Sequence, residues 1–306
     1  MMKSTMAGAY AAVLTPRQDD GHLDRASFQR QIAFLASHRL AGFAINGATG
    51  EFPLTDADEL RLLLDDAREY APNKTIVCGI GGLTVDVSKD FARVAAEHGA
   101  DVFLLPMPHF FPYRQDDLIA FVSGVLERVD RPVLLYNLPQ FTTNLETDTV
   151  IELLEKIPGL IGIKDSSGSL ETLRAMTAHG NRSVRIVGND ATLPPALVEG
   201  VCDAVISGVA CVLPELIVAL FGQSPHGPEF ERWAALLSQY IASIDGLPTP
   251  WGLKVTSDAR GLAGGAFPMP LSAQRQREVH ELRESFLAWL PTLEGLRPPA
   301  EAGGLR

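Results

Sequence analysis

The chain is poor in cysteine and in positive charge, and its apolar runs are short. Three cysteines in 306 residues (Cys78, Cys202 and Cys211) are too few and too scattered for a disulfide framework or a zinc site. They fit a reduced, cytoplasmic compartment. Lys and Arg number 26 against 37 Asp and Glu, a formal net charge of −11. That balance argues against nucleic acid and against an anionic membrane surface as partners. It leaves an anionic substrate open, because a site needs only local donors. The most apolar long stretch, 201–222, is broken by Asp203, Pro214 and Glu215, so no membrane span is expected. Several chemistries lack their signatures. There is no G-x-S-x-G, no Walker loop, no H-E-x-x-H and no cofactor fingerprint, and the seven histidines form no pair at metal-ligand spacing. Neither a cofactor nor a metal is expected.

What is present is an ordinary globular composition, 46% hydrophobic and 21% charged. The length suits two domains, or one large α/β barrel with an extension. Short β-rich apolar runs lie at 9–14, 42–46, 75–79, 101–105, 132–136, 160–164, 184–188 and 204–207. The opening MMKSTMAGAYAAVLTP carries a faint signal-peptide pattern, but a first strand ended by Thr15-Pro16 is the preferred reading. Between the runs, apolar residues recur at helical spacing: Phe28, Ile32 and Leu35; Leu60, Leu63, Leu64 and Ala67; Val87, Phe91, Val94 and Ala95; Leu118, Phe121, Val122 and Val125. Thr55-x-x-Asp58 resembles a capping box, and His98-Gly99 a helix end. Eight strands each followed by a helix predict a closed (β/α)8 barrel, with an open doubly wound sheet as the rival. The barrel should occupy 1–222. GQSPHGPE reads as a linker into a C-terminal helical extension over 223–298, with helices near 230–240, 250–261 and 271–290. A disordered tail is expected at 299–306.

In such a barrel the chemistry sits where strands end. Those positions hold NGATGE (46–51), YNLP (136–139), Lys164, GND (188–190) and ISG (206–208). Lys164 follows the apolar Leu160, Ile161 and Ile163 and precedes the turn formers Asp165, Ser166, Ser167 and Gly168. Two readings stand. It is a strand-end lysine paired with Asp165, or it is a desolvated nucleophile. A lysine in water keeps only ~0.1% free amine at neutral pH. Burial in a barrel mouth raises that fraction, and a free amine can attack a ketone to form a Schiff base. Tyr136 would then relay protons, unless it is simply an aromatic at a strand end with its hydroxyl satisfied. The small residues Gly47 and Ala48, followed by Thr49, could turn backbone amides and a hydroxyl toward a carboxylate, although a plain tight turn would have the same sequence.

Taken together, these residues resemble the dihydrodipicolinate synthase / N-acetylneuraminate lyase family of class I aldolases. NGATGE is similar to that family's G-[ST]-T-G-E loop, LLYNLP to its Y-N-x-P motif, and GIKDSSG to its Schiff-base lysine motif. GND and VISG match its later strand ends, and the likeness runs on through PWGLKVTSDARGL. The resemblance implies a (β/α)8 barrel with a helical C-terminal extension, usually a homotetramer, with pyruvate as the covalently held unit and an aldehyde as the other half. By that match Lys164 is the Schiff-base residue, Tyr136 the proton relay and Thr49 a carboxylate binder. Gly47, Ala48, Gly188, Ile206, Phe110 and Phe141 fall at substrate-facing positions.

The departures from the family pattern carry information. Dihydrodipicolinate synthases usually have two hydroxyl residues in the loop, and here the first is Ala48. A relay tyrosine donated across a dimer contact corresponds to Phe110, with Tyr113 as a possible substitute. An arginine that grips the second substrate's carboxylate corresponds to Phe141. Replacing that arginine with an apolar ring removes a charge-assisted contact. The pattern therefore points away from lysine biosynthesis and toward the lyase and 2-keto-3-deoxy sugar acid aldolase branches. Phe52, Phe110 and Phe141 suggest a pocket apolar enough for an aromatic aldehyde. A synthase, a dehydratase or hydratase-aldolase, and a non-catalytic keto-acid-binding homologue remain alternatives.

Overall fold

The protein is described from a computed structural model that covers residues 6–180 and 183–294. Its strands are β1 (Gly8–Ala12), β2 (Gly42–Ile45), β3 (Thr75–Gly79), β4 (Val102–Pro106), β5 (Val133–Asn137), β6 (Leu160–Asp165), β7 (Val184–Val187) and β8 (Ala204–Ser207). All pair in parallel and in chain order, and β1 closes on β8 with Tyr10 opposite Ile206. The helices after them are α1 (Arg25–Ala36), α2 (Ala57–Tyr70), α3 (Val85–Glu97), α4 (Gln115–Leu126), α5 (Thr147–Lys156), α6 (Glu171–Ala178), α7 (Leu193–Glu199) and α8 (Pro214–Gly222). This is the expected (β/α)8 barrel. Within the opening run, Gly8–Ala12 form β1, hydrogen-bonded on both sides, and residues 1–5 lie outside the described residues.

The period-two alternation of each strand divides the apolar residues between two cores. Outward residues such as Phe103, Leu135, Ile163 and Val205 pack with the helix faces bearing Phe28, Ile32, Leu60 and Leu64. Inward residues such as Tyr10, Val77, Leu104, Leu134, Ile186 and Ile206 fill the barrel. Burying each such side chain contributes about 1.5–3 kcal/mol before chain entropy is counted. Two local expectations shift. The cap of α2 is Asp56, whose carboxylate accepts from the Glu59 amide at 2.8 Å, one residue beyond the Thr55 reading. A carboxylate there also suits the positive end of the helix dipole. Val87, expected on the buried face of α3, is exposed, while Val94 and Ala95 are buried.

Three more helices follow: α9 (Pro228–Ile244), α10 (Trp251–Ala259) and α11 (Ala273–Glu294). Phe230, Trp233, Leu236, Leu237 and Tyr240 form the buried face of α9. Two buried ion pairs fasten α10 to the barrel. Arg260 donates to Glu215 at 2.6 Å, with a further bond to the Val212 carbonyl, and so ties α10 to α8. Burial alone would raise the Glu215 carboxyl, but Arg260 holds it below its ordinary range. Lys254 donates to Glu51 at 2.8 Å and to the Ala266 carbonyl at 2.7 Å, which ties α10 to the loop after β2. Removing one partner of such a pair costs about 3–5 kcal/mol. The last residues of the expected extension and the tail at 299–306 lie outside the described residues. Among the described residues no helix is long and apolar enough to cross a membrane.

Candidate active site

β5 and β6 are neighbours, and their register sets Tyr136 opposite Lys164. Both side chains point into the barrel at its C-terminal end, and both are almost fully buried, at 3% and 4% exposure. The Lys164 Nζ donates to the Tyr136 hydroxyl at 3.1 Å and lies 4.2 Å from the ring centroid. Asp165 is not its partner. That carboxylate accepts from the Ser167 amide at 2.8 Å and helps to shape the turn after β6. Burial raises the Asp165 carboxyl above its ordinary value despite this bond. Lys164 is therefore a buried amine facing a phenol, and the strand-end ion pair is not formed.

The two side chains sit at the floor of a cavity of about 430 Å³, a size suited to a small-molecule site. Of the residues singled out from the sequence, Ala48, Thr49, Tyr136, Phe141, Lys164, Gly188 and Ile206 line it. Gly188 is required by close approach. A Cβ there would lie 2.2 Å from the Ser166 Oγ and 2.8 Å from the Lys164 Cε. The loop with Ala48 and Thr49 is bracketed by Asn46 and Glu51, two non-glycine residues with φ of 58° and 54°. Each is held in this left-handed region by a side-chain bond, from Asn46 to the Gly79 carbonyl (2.9 Å) and from Lys254 to Glu51. Backbone strain held in this way is common at functional sites. The Gly50 and Glu51 amides are used inside the turn. Those of Ala48 and Thr49, and the Thr49 hydroxyl, donate to no protein group among the described residues, so they are free for an anion.

Gly47 and Phe110 do not line the cavity. Gly47 builds the turn, its carbonyl accepting from Gly50 (3.1 Å) and Phe52 (3.2 Å). Phe110 is 82% exposed with φ of 82°, and it packs edge-on against Phe111 at 4.8 Å between centroids. Tyr113, weighed as a substitute relay, instead borders a separate hollow with Leu83, Val85 and Phe121. Phe52 is buried against His109 outside the cavity. Of the three phenylalanines, the single chain brings only Phe141, itself half exposed, to its own cavity.

Several lining residues had not been singled out. Among the described residues, the buried Ser166 hydroxyl has no protein partner. Gln140 donates to the Ser166 carbonyl at 2.9 Å. Asp190 accepts from the Val209 amide at 3.0 Å through Oδ2, while its buried Oδ1 has no hydrogen-bond partner among the described residues. Burial pushes the Asp190 carboxyl above its ordinary range, against the pull of Ser207, the Val209 amide and the Lys164 charge. The outer wall comes from far along the chain, from the connection between α9 and α10 with Asp245, Leu247, Pro248 and Thr249. Asp190 could have been found from GND, but no motif marks the α9–α10 wall.

The model of the dihydrodipicolinate synthetase family matches residues 5–285. A 4-hydroxy-tetrahydrodipicolinate synthase of Nitrosospira multiformis is 30% identical over 286 residues, covering 91% of this chain and 94% of that protein. One from Thiobacillus denitrificans is 32% identical over 295 residues, covering 90% and 98%. Among solved structures, dihydrodipicolinate synthase from Aquifex aeolicus superposes with a TM-score of 0.86 at 22% identity, covering 93% of this chain and 98% of that one. N-acetylneuraminate lyase from Mycoplasma synoviae does so with 0.81 at 22% identity and the same coverage. At that identity the two structures speak for the fold, and the sequence matches speak for the family. The chain belongs to the dihydrodipicolinate synthetase family and is a lyase of the aldolase type.

Proposed function

We propose that the protein is a Schiff-base aldolase that cleaves a 2-keto acid of the 2-keto-3-deoxy sugar acid type into pyruvate and an aldehyde, or joins the two. The observation that carries this reading is the 3.1 Å bond between the buried Lys164 amine and the Tyr136 hydroxyl. The amine attacks the C2 carbonyl of the keto acid, and Tyr136 passes a proton to the carbonyl oxygen. Loss of water leaves an iminium. Cleavage of the C3–C4 bond moves its electron pair into the resulting enamine, while Tyr136 takes the proton of the C4 hydroxyl. Protonation at C3 and hydrolysis then release pyruvate and free Lys164. The Ala48 and Thr49 amides and the Thr49 hydroxyl hold the C1 carboxylate. The cycle uses no added cofactor.

The reading extends to the whole assembly. We place the active site in a barrel of 1–222 with an extension over 223–298, in a cytoplasmic homotetramer. The exposed Phe110, Phe111 and Leu83 support a covered face, and sedimentation velocity tests it. A second reading, 4-hydroxy-tetrahydrodipicolinate synthesis, is favoured by the names of the relatives at 30–32% identity. Ala48 and the cation-poor cavity with Phe141 in its wall count against it. Turnover with L-aspartate semialdehyde separates the two.

The test of the core proposal is borohydride reduction in the presence of pyruvate, followed by peptide mapping. The expected result is a reduced pyruvyl adduct on Lys164 that is absent in Lys164→Ala. No adduct at saturating pyruvate would sink the proposal.

A further inference from the structure

The charge in the outer half of the cavity is one-sided. Among the described residues that line it, Lys164 is the sole Lys, Arg or His, and that amine is committed to the keto-acid end. Two acidic residues line the remaining space: Asp190, whose carboxylate is buried with Oδ2 on the Val209 amide, and the exposed Asp245 at the mouth. Gln140, Ser166, Asn189 and Thr249 supply only uncharged polar groups.

The position of Asp245 is fixed by the fold. It caps the C-terminal end of α9, its amide donating to the Ile241 carbonyl at 3.1 Å. The chain then turns at once into α10, with the Leu247 amide on the Ile244 carbonyl (3.2 Å) and the Trp251 amide on the Pro248 carbonyl (2.6 Å). Gly252 lets the two helices meet, since a Cβ there would lie 2.7 Å from the Ile244 Cβ. A wall built this way holds its carboxylate at the entrance. The Asp245 side chain makes no ion pair among the described residues, so its charge faces whatever enters.

We infer that Asp245 is a specificity-determining residue: with no Lys, Arg or His beside it in the cavity wall, it makes the aldehyde half of the cavity a filter against a second carboxylate or phosphate on the substrate. The class admitted is an uncharged, hydroxyl-bearing aldehyde, whose hydroxyls can donate to the carboxylates and to the uncharged polar groups around them. The inference rests on the Schiff-base reading above. Like charges at an open mouth repel modestly and in a salt-dependent way, so the filter should be worth about tenfold, and less at high ionic strength.

The test uses two keto acids that differ mainly in the distal group, 2-oxopentanoate and 2-oxoglutarate, with borohydride trapping at Lys164 as the readout and pyruvate as the control. In the wild-type protein at low salt, trapping of 2-oxoglutarate should be at least about tenfold less efficient than that of 2-oxopentanoate. Asp245→Asn should narrow the gap to about threefold or less, Asp245→Glu should keep it, and about 0.5 M salt should narrow it in the wild type alone. A purely structural role for Asp245 would move both keto acids together and leave the ratio fixed. Equal trapping of the two keto acids by the wild type, or an unchanged gap in Asp245→Asn, overturns the filter while pyruvate trapping leaves the aldolase reading standing. Absence of pyruvate trapping overturns both.

Discussion

The two ends of the cavity are built differently. At the keto-acid end, Lys164 and Tyr136 stand on adjacent strands whose register fixes their separation, and the carboxylate loop is braced from behind by the buried Lys254–Glu51 pair. At the aldehyde end, Gln140 and Phe141 sit on the loop after β5, and the outer wall is the connection between α9 and α10. The first end is built of nearly fully buried strand residues, which suits a preorganised covalent site. The second is built of loop residues, Phe141 among them half exposed, and its composition can change without moving the lysine. Reaction type therefore resides in strand register, and substrate choice in loops and in a distant helical connection.

That contrast predicts a graded set of effects. Tyr136→Phe removes the phenol that the lysine faces while preserving the packing of the ring. The expected fall in kcat is about 10²–10⁴-fold, the range for loss of a positioned acid–base group, with little change in melting temperature. A loss below about tenfold would assign proton transfer elsewhere. Gly188→Ala tests the register argument from the side. Its Cβ would overlap the Ser166 Oγ and crowd the Lys164 Cε, so one or both of these side chains must shift. Where the amine moves by about 1 Å, the cost is about 10²-fold. Borohydride trapping should slow in parallel with turnover, and unimpaired trapping would mean that the lysine has more room than the structure gives it.

Phe141→Ala probes the other end. The ring is 52% exposed and sits on the loop after β5 in the cavity wall. Its loss should raise KM for a long 2-keto acid by about two- to fivefold, with pyruvate trapping unchanged. If trapping fell as well, the two ends would be coupled, and the division of labour drawn above would have to be redrawn.

The same division explains what the sequence revealed. The strands could be read from their short apolar runs, and the lysine and tyrosine followed from the rule that barrels work at strand ends. Lys164 was recognisable because an apolar strand should not end in a buried amine. Phe110 and Phe52 lie outside the cavity of the single chain, and aromatic type says nothing about which way a loop turns. Phe110 has a positive φ that its residue type does not announce. Ser166 and Gln140 gave no signal, since a serine in a turn is common and its missing partner becomes visible only in three dimensions. Asp245 could not be found at all, because it reaches the cavity only once α9 has packed against the barrel, some eighty residues after the lysine.

Asp190 stands on the border between the two ends, and there the expected effect is smallest. Burial lifts its carboxyl above the ordinary range. The sign follows from linkage. With a raised value in the folded state, the native protein holds this proton when the unfolded chain has already lost it. The site is therefore least costly below about pH 4, where both states are protonated. The cost grows as pH rises from there to the folded value and is constant above it. Asp190→Asn is neutral at every pH and keeps an acceptor for the Val209 amide, so it should melt about 2–4 °C higher than the wild type near pH 8, with the difference vanishing near pH 4. Its activity should change little, because Oδ1 is buried and Oδ2 already accepts from the Val209 amide. A variant that lost activity and stability together at neutral pH would show that the ionised Asp190 carboxylate holds the β7 end in place. Melting curves across that pH interval, beside turnover at one pH, decide between the two.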